Sequence, residues 1–139
     1  MKDDRLTSKE MAHFVASGYL RFEQMVPREL CEACLEEIRE HKGYFAVGTP
    51  FEKTWPKNTA LGDAFRLPQV QGLIHSLVGP DPLYDHHGPH LVKGRKTQGP
   101  DMHQDSVIDF RDRYFDIQLS LFPTDTPDEM GGTFLVPGT

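Results

Sequence analysis

An α+β fold is predicted, helical over residues 1–80 and stranded over 81–139. Three observations predict it. Apolar residues recur at i, i+3, i+4 and i+7 in the first half, an alternation of period two replaces that pattern after Pro82, and Gly and Pro punctuate the changes. The length of 139 residues suits a single domain, 1–139, with a hydrophobic core of its own.

Thr7-Ser8-Lys9-Glu10 is a capping box, with Thr7 at the N-cap and Glu10 reaching back to open a short helix that Gly18 closes. Tyr19 to Glu23 alternates as a short strand does. Pro27 suits the first position of a second helix. On that helix Leu30, Cys34, Ile38 and His41 form one stripe, Glu32, Glu36, Arg39 and Glu40 lie largely opposite, and Gly43 is the expected cap. Residues 43–66 carry no steady period and read as a long loop with one short strand. A third helix follows from Pro68 to Leu77, its apolar face made by Val70, Leu73, Ile74, Leu77 and Val78, and Gly79-Pro80 stops it. Strands are expected over 83–93, 102–108, 114–122 and 133–136. In the third of these, Ile117, Leu119 and Leu121 share one face, with Asp116, Gln118 and Ser120 on the other. Pro137-Gly138-Thr139 follows the last strand directly, leaving an open edge and an uncovered sheet face, so the expectation is a domain cut short.

Composition narrows the function. A net charge of -6 argues against a nucleic-acid or anionic-membrane surface, both of which need a basic field. Two cysteines make no disulfide framework, no apolar run reaches a membrane span, and MKDDRLTSKE is too charged for a secretory signal. A cytoplasmic setting is expected.

The triplet that carries chemistry is His103-Gln104-Asp105. On a strand His103 and Asp105 point to one side and Gln104 to the other, so an imidazole and a carboxylate can grip one metal ion. A second histidine from elsewhere would complete the two-histidine, one-carboxylate facial triad of non-haem Fe(II) oxygenases. Taken alone, the triplet also reads as a surface histidine beside a solvated aspartate.

Its context adds to it. GYLRFEQMVPRELCEACLEEIREH, LIHSLVGPDPLYDHHGPHLVK, PDMHQDS and LSLFPTDTPDEMGGTFLVPGT, in that order, resemble the phytanoyl-CoA dioxygenase family. The resemblance rests on a Gly-Tyr opening, a helix starting Pro-x-x-Leu-Cys, a Leu-x-Gly-Pro entry to a strand ending in Lys, then His-x-Asp, and a Gly-Gly turn before Val-Pro-Gly-Thr. It spans nearly the whole chain. It implies a double-stranded β-helix, a cupin-like jelly roll with the N-terminal helices packed on it. It also implies an Fe(II)- and 2-oxoglutarate-dependent dioxygenase that hydroxylates a small organic substrate using O2. His103 and Asp105 match the first two iron ligands. Leu91, Lys93, Gln104 and Leu121 match positions around the cosubstrate, and His87 and Pro89 line the substrate pocket. Leu121 stands where the family often has an aromatic residue. Halogenating members have a small residue at the position of Asp105, so its carboxylate points to hydroxylation or a related oxidation.

The family's distal iron-binding histidine and its 2-oxoglutarate arginine lie further downstream. The seven histidines here are His13, His41, His75, His86, His87, His90 and His103, and none holds that distal position. The expectation is that this chain alone is inactive, because two ligands hold Fe(II) weakly and 2-oxoglutarate lacks its bidentate anchor.

Two other classes compete. One is a non-catalytic binding or interaction module whose open sheet edge pairs with another chain. The other is a zinc-dependent hydrolase or cupin-like enzyme using His87, His103 and Asp105. Cys31-x-x-Cys34 has the spacing of a metal or redox motif, but it lies within a helix without a second pair, so Cys34 is expected in the core and Cys31 half-buried. His86, His87 and His90 read as cavity-lining polar groups, Lys93, Arg95 and Lys96 as a solvated basic turn, and Trp55 as a packing anchor between Lys53 and Lys57.

Overall fold

Thr7 ends the N-terminal segment with extended backbone (φ -69°, ψ 159°) and opens α1, Ser8–Ser17. Both halves of the capping box form. The Glu10 N–H donates to Thr7 Oγ1 at 3.3 Å, and the Thr7 N–H donates to Glu10 Oε2 at 2.7 Å. The Thr7 hydroxyl, and then its N–H, hold the Glu10 carboxyl below the usual carboxylate range. Gly18 closes the helix in the left-handed region (φ 78°), where a side chain would be strained, and donates its N–H to the Phe14 carbonyl. These are features of a computed structural model, which describes residues 4–40, 59–84, 102–103, 116–130 and 132–138.

α2 runs Arg28–Glu40. Pro27 caps it from just outside, accepting from the N–H groups of Leu30 and Cys31 at 3.1 and 3.0 Å. The expected stripe is present within the helix, with Cys34 fully buried, Leu30 and Ile38 packed beside it, and Glu32, Glu36, Arg39 and Glu40 exposed.

The loop expected up to residue 66 ends earlier, because a helix, α3, occupies Ala60–Arg66. Seven residues are too few to hold a helix by their own hydrogen bonds. Two other contributions hold this one. Thr59 Oγ1 accepts from the Gly62 N–H, and the Glu37 carboxylate of α2 accepts from the N–H groups of Ala60 and Leu61, each at 2.9 Å. Leu61, Ala64 and Phe65 are then buried against α2. Leu67 ends α3 and begins α4, Pro68–Val78, with Pro68 at a position where its missing N–H costs nothing. Val70, Leu73 and Ile74 face inward, as the spacing predicts, and Gly79 stops the helix with its N–H on the His75 carbonyl. The core is therefore helix on helix: Cys34, Leu61, Ala64, Phe65, Val70, Leu73 and Ile74. Gln69 and Gln71 tie α4 down by donating to the carbonyls of Met25 and Phe65 at 2.9 and 2.6 Å.

The second half corrects the predicted fold. Helix accounts for about half of the described residues, and among them there is no strand, so neither the α+β class nor the cupin-like double-stranded β-helix or jelly roll holds. Residues 19–23, 116–122 and 133–136, each expected to be a strand, carry no ladder. Alternation records which side chains face inward, whereas a strand exists only where a neighbour supplies the hydrogen-bonding partners. After Tyr19 to Glu23 the backbone turns through a left-handed Gln24 (φ 56°), and Phe22, Met25 and Val26 pack onto the helices. In 116–122 the alternation survives in part. Ile117 and Leu121 are half-buried, Leu119 of the same expected face is exposed, and Leu121 rests on the helical core rather than on a second sheet. Residues 85–93 and 104–108 of the other two expected strands lie outside the described residues, and so do His41, Gly43 and Trp55.

A short 3-10 turn spans Asp128–Met130. Phe122, Met130, Phe134, Leu135 and Val136 are exposed. Among the described residues no helix is long and apolar enough to cross a membrane.

Candidate functional site

His103 is the part of the predicted metal site that the structure describes. It follows Met102 on irregular backbone, and both side chains are exposed. Its partner Asp105 lies outside the described residues, together with Gln104, His87, Pro89, Leu91 and Lys93, and with His86, His90, Lys53, Lys57, Arg95 and Lys96. Leu121, expected beside the cosubstrate, packs against the core that contains Phe65 and Leu73. The structure thus describes two of the predicted site residues, one exposed and one half-buried. Among the described residues no group of three or more His, Cys, Asp or Glu side chains is arranged to hold a metal ion.

As a donor set, His103 and Asp105 fit Fe(II). A neutral imidazole nitrogen and a carboxylate oxygen are two of the three ligand types of a facial triad. An exposed imidazole has no burial penalty to overcome before meeting an ion from solvent, in contrast to a thiol or imidazole sealed in a core.

The cysteine pair shows the sealed case. Cys34 is fully buried in α2, and burial first, then the neighbouring Cys31, pushes its thiol up to about 12. Cys31 is half-buried, its Sγ donating to the Val26 carbonyl at 3.7 Å, and burial raises its thiol as well. Metal ligation and disulfide exchange both need the thiolate. Near neutral pH these two groups are thiols, as the helical position of the motif implies. A buried neutral thiol also makes stability depend on pH. Cys34 binds its proton more tightly folded than unfolded, so its contribution is complete below the unfolded thiol value of about 9 and declines as pH rises from there toward about 12. Urea unfolding from pH 8 to 11 is expected to show that decline in the wild type and a smaller one in Cys34→Ala. Equal slopes would contradict the assignment.

A second feature, not foreseen from sequence, is the seating of the N-terminal segment on α4. The Leu6 N–H donates to Ser76 Oγ at 3.0 Å, and the Ser76 hydroxyl donates to the Gly72 carbonyl at 2.7 Å. A Cβ at Gly72 would collide with the Asp4 backbone carbonyl, so a glycine is required for the approach. A glycine one turn before a serine, on the face of a helix, is the one signal the sequence offers for such a contact.

Compared with known proteins, the chain matches no family model, no curated protein and no solved structure.

Proposed function

We propose that this chain carries the first two metal ligands, His103 and Asp105, of an Fe(II)- and 2-oxoglutarate-dependent dioxygenase acting on a small organic substrate. The observation that carries the reading is His103-Gln104-Asp105 standing in its place within the ordered motif set that runs from Gly18-Tyr19 to Val136-Pro137-Gly138-Thr139.

When bound, Fe(II) with 2-oxoglutarate supplies activation of O2 and oxidation of a C–H bond. The chain's own part is to hold and orient. His103 gives a ring nitrogen and must shed any proton from it first, and Asp105 gives an anionic oxygen that offsets the ion's charge. Lys93 offers a cation to a carboxylate of 2-oxoglutarate, and Leu91 an apolar wall that excludes water. His103 and Asp105 are two of the three protein ligands that such a site uses, and two alone hold Fe(II) weakly.

Anaerobic equilibrium dialysis against Fe(II) checks the reading. One weak site is expected in the wild type, with affinity falling at least about tenfold in His103→Ala and in Asp105→Ala, as loss of a ligand does. Unchanged affinity in both variants would refute the proposal.

A further inference from the structure

The helix α1 lies between two apolar contacts and buries little of itself. Leu6 before it and Phe22 after it pack against the core, yet no residue of α1 is buried and none contributes to the apolar cluster. Val15 is 79% exposed. Between α1 and the end of α4 lies an open groove of about 720 Å³, lined in part by Arg5, Met11, Val15, His75 and Ser76, so the helix is not sealed onto its neighbour. Its internal order is nevertheless complete, with a capping box at one end and a left-handed glycine at the other. A segment with good local hydrogen bonds and little burial has the composition of a unit that opens as a whole.

We propose that residues 4–21 form a flap that opens as one body about Phe22, and that Ser76 with Gly72 is the latch that keeps it closed. The latch works through a relay in which the Ser76 hydroxyl accepts from the Leu6 N–H while donating to the Gly72 carbonyl. It closes only because Gly72 has no side chain to hold off Asp4. At the far end, the Gly138 N–H donates to the Ser17 carbonyl at 3.0 Å and is the second tie across the flap. Opening breaks these two hydrogen bonds, widens the groove beside His75, and leaves α2, α3 and α4 packed.

Native-state hydrogen exchange on the full chain tests this. In Ser76→Ala the amides of Leu6 and Gly138, whose bonds cross the flap, are expected to exchange about fivefold faster, both by the same factor, with Met11 and Gly18 inside the flap and α2–α4 unchanged; that factor is what the loss of one ordinary hydrogen bond gives. Gly72→Ala, which pushes Asp4 away directly, is expected to accelerate the same set further. Three results would overturn the proposal: acceleration of Leu6 alone, equal acceleration of all four helices, or no change in either variant.

Discussion

Leu73→Ala is expected to lower the unfolding free energy by about 2–5 kcal/mol, the range for deleting a buried leucine side chain in a core that relaxes only partly. Leu73 is 5% exposed and lies at the centre of α4's inner face, between Val70 and Ile74 and among Cys34, Leu61 and Phe65. Among the described residues the core cluster has seven buried apolar members, Leu73 among them. In urea unfolding the midpoint should fall with little change in slope, because the same surface is exposed on unfolding. Val15→Ala is the control. It trims a branched aliphatic side chain at an exposed site in α1 and is expected to stay within about 0.5 kcal/mol of the wild type. Equal effects would show that α2–α4 are not the stabilising body.

Glu37→Ala is expected to cost about 2–3 kcal/mol, well above an ordinary surface substitution. Its carboxylate accepts two backbone N–H groups from α3, at 2.9 Å each, and without it both donors face a half-buried site with no acceptor supplied. Seven residues cannot keep α3 ordered unaided, so Leu61, Ala64 and Phe65 lose their placement too. Glu36→Ala, one position along on the exposed face of α2, is the matched control and should be nearly silent. Amide exchange at Ala60 and Leu61 gives the local readout, faster in Glu37→Ala and unchanged in Glu36→Ala. An equal response in the two variants would show that the carboxylate does not hold α3.

The difference between these helices also explains what the sequence made legible. The start of α1 is written within four residues, Thr7 to Glu10, and the burial of α2 and α4 within their own apolar spacing. Such signals are local, so they can be read without knowing the rest of the fold. α3 depends on an acceptor 23 residues away, and no window around Thr59 contains Glu37. The period-two pattern of residues 114–122 misled for the same reason. It describes the inward lean of Ile117 and Leu121 but not that of Leu119, which is exposed, and it carries no information about a ladder partner; Leu121 finds its neighbours on helices instead. At the candidate site, the burial of Cys34 and the half-burial of Cys31 were legible from their place on α2. The latch at Gly72 and Ser76 was not, since a glycine within a helix does not say which backbone will approach it.

Whether an imidazole at 103 and a carboxylate at 105 hold a metal together is best measured by proton NMR of the seven histidine side chains during titration with paramagnetic Mn(II), which takes the same oxygen and nitrogen donors as Fe(II). The account predicts that the His103 ring signals broaden first, and that Asp105→Ala delays that broadening to higher metal concentration. Early broadening at His13, His75 or another histidine while His103 stays sharp would contradict it.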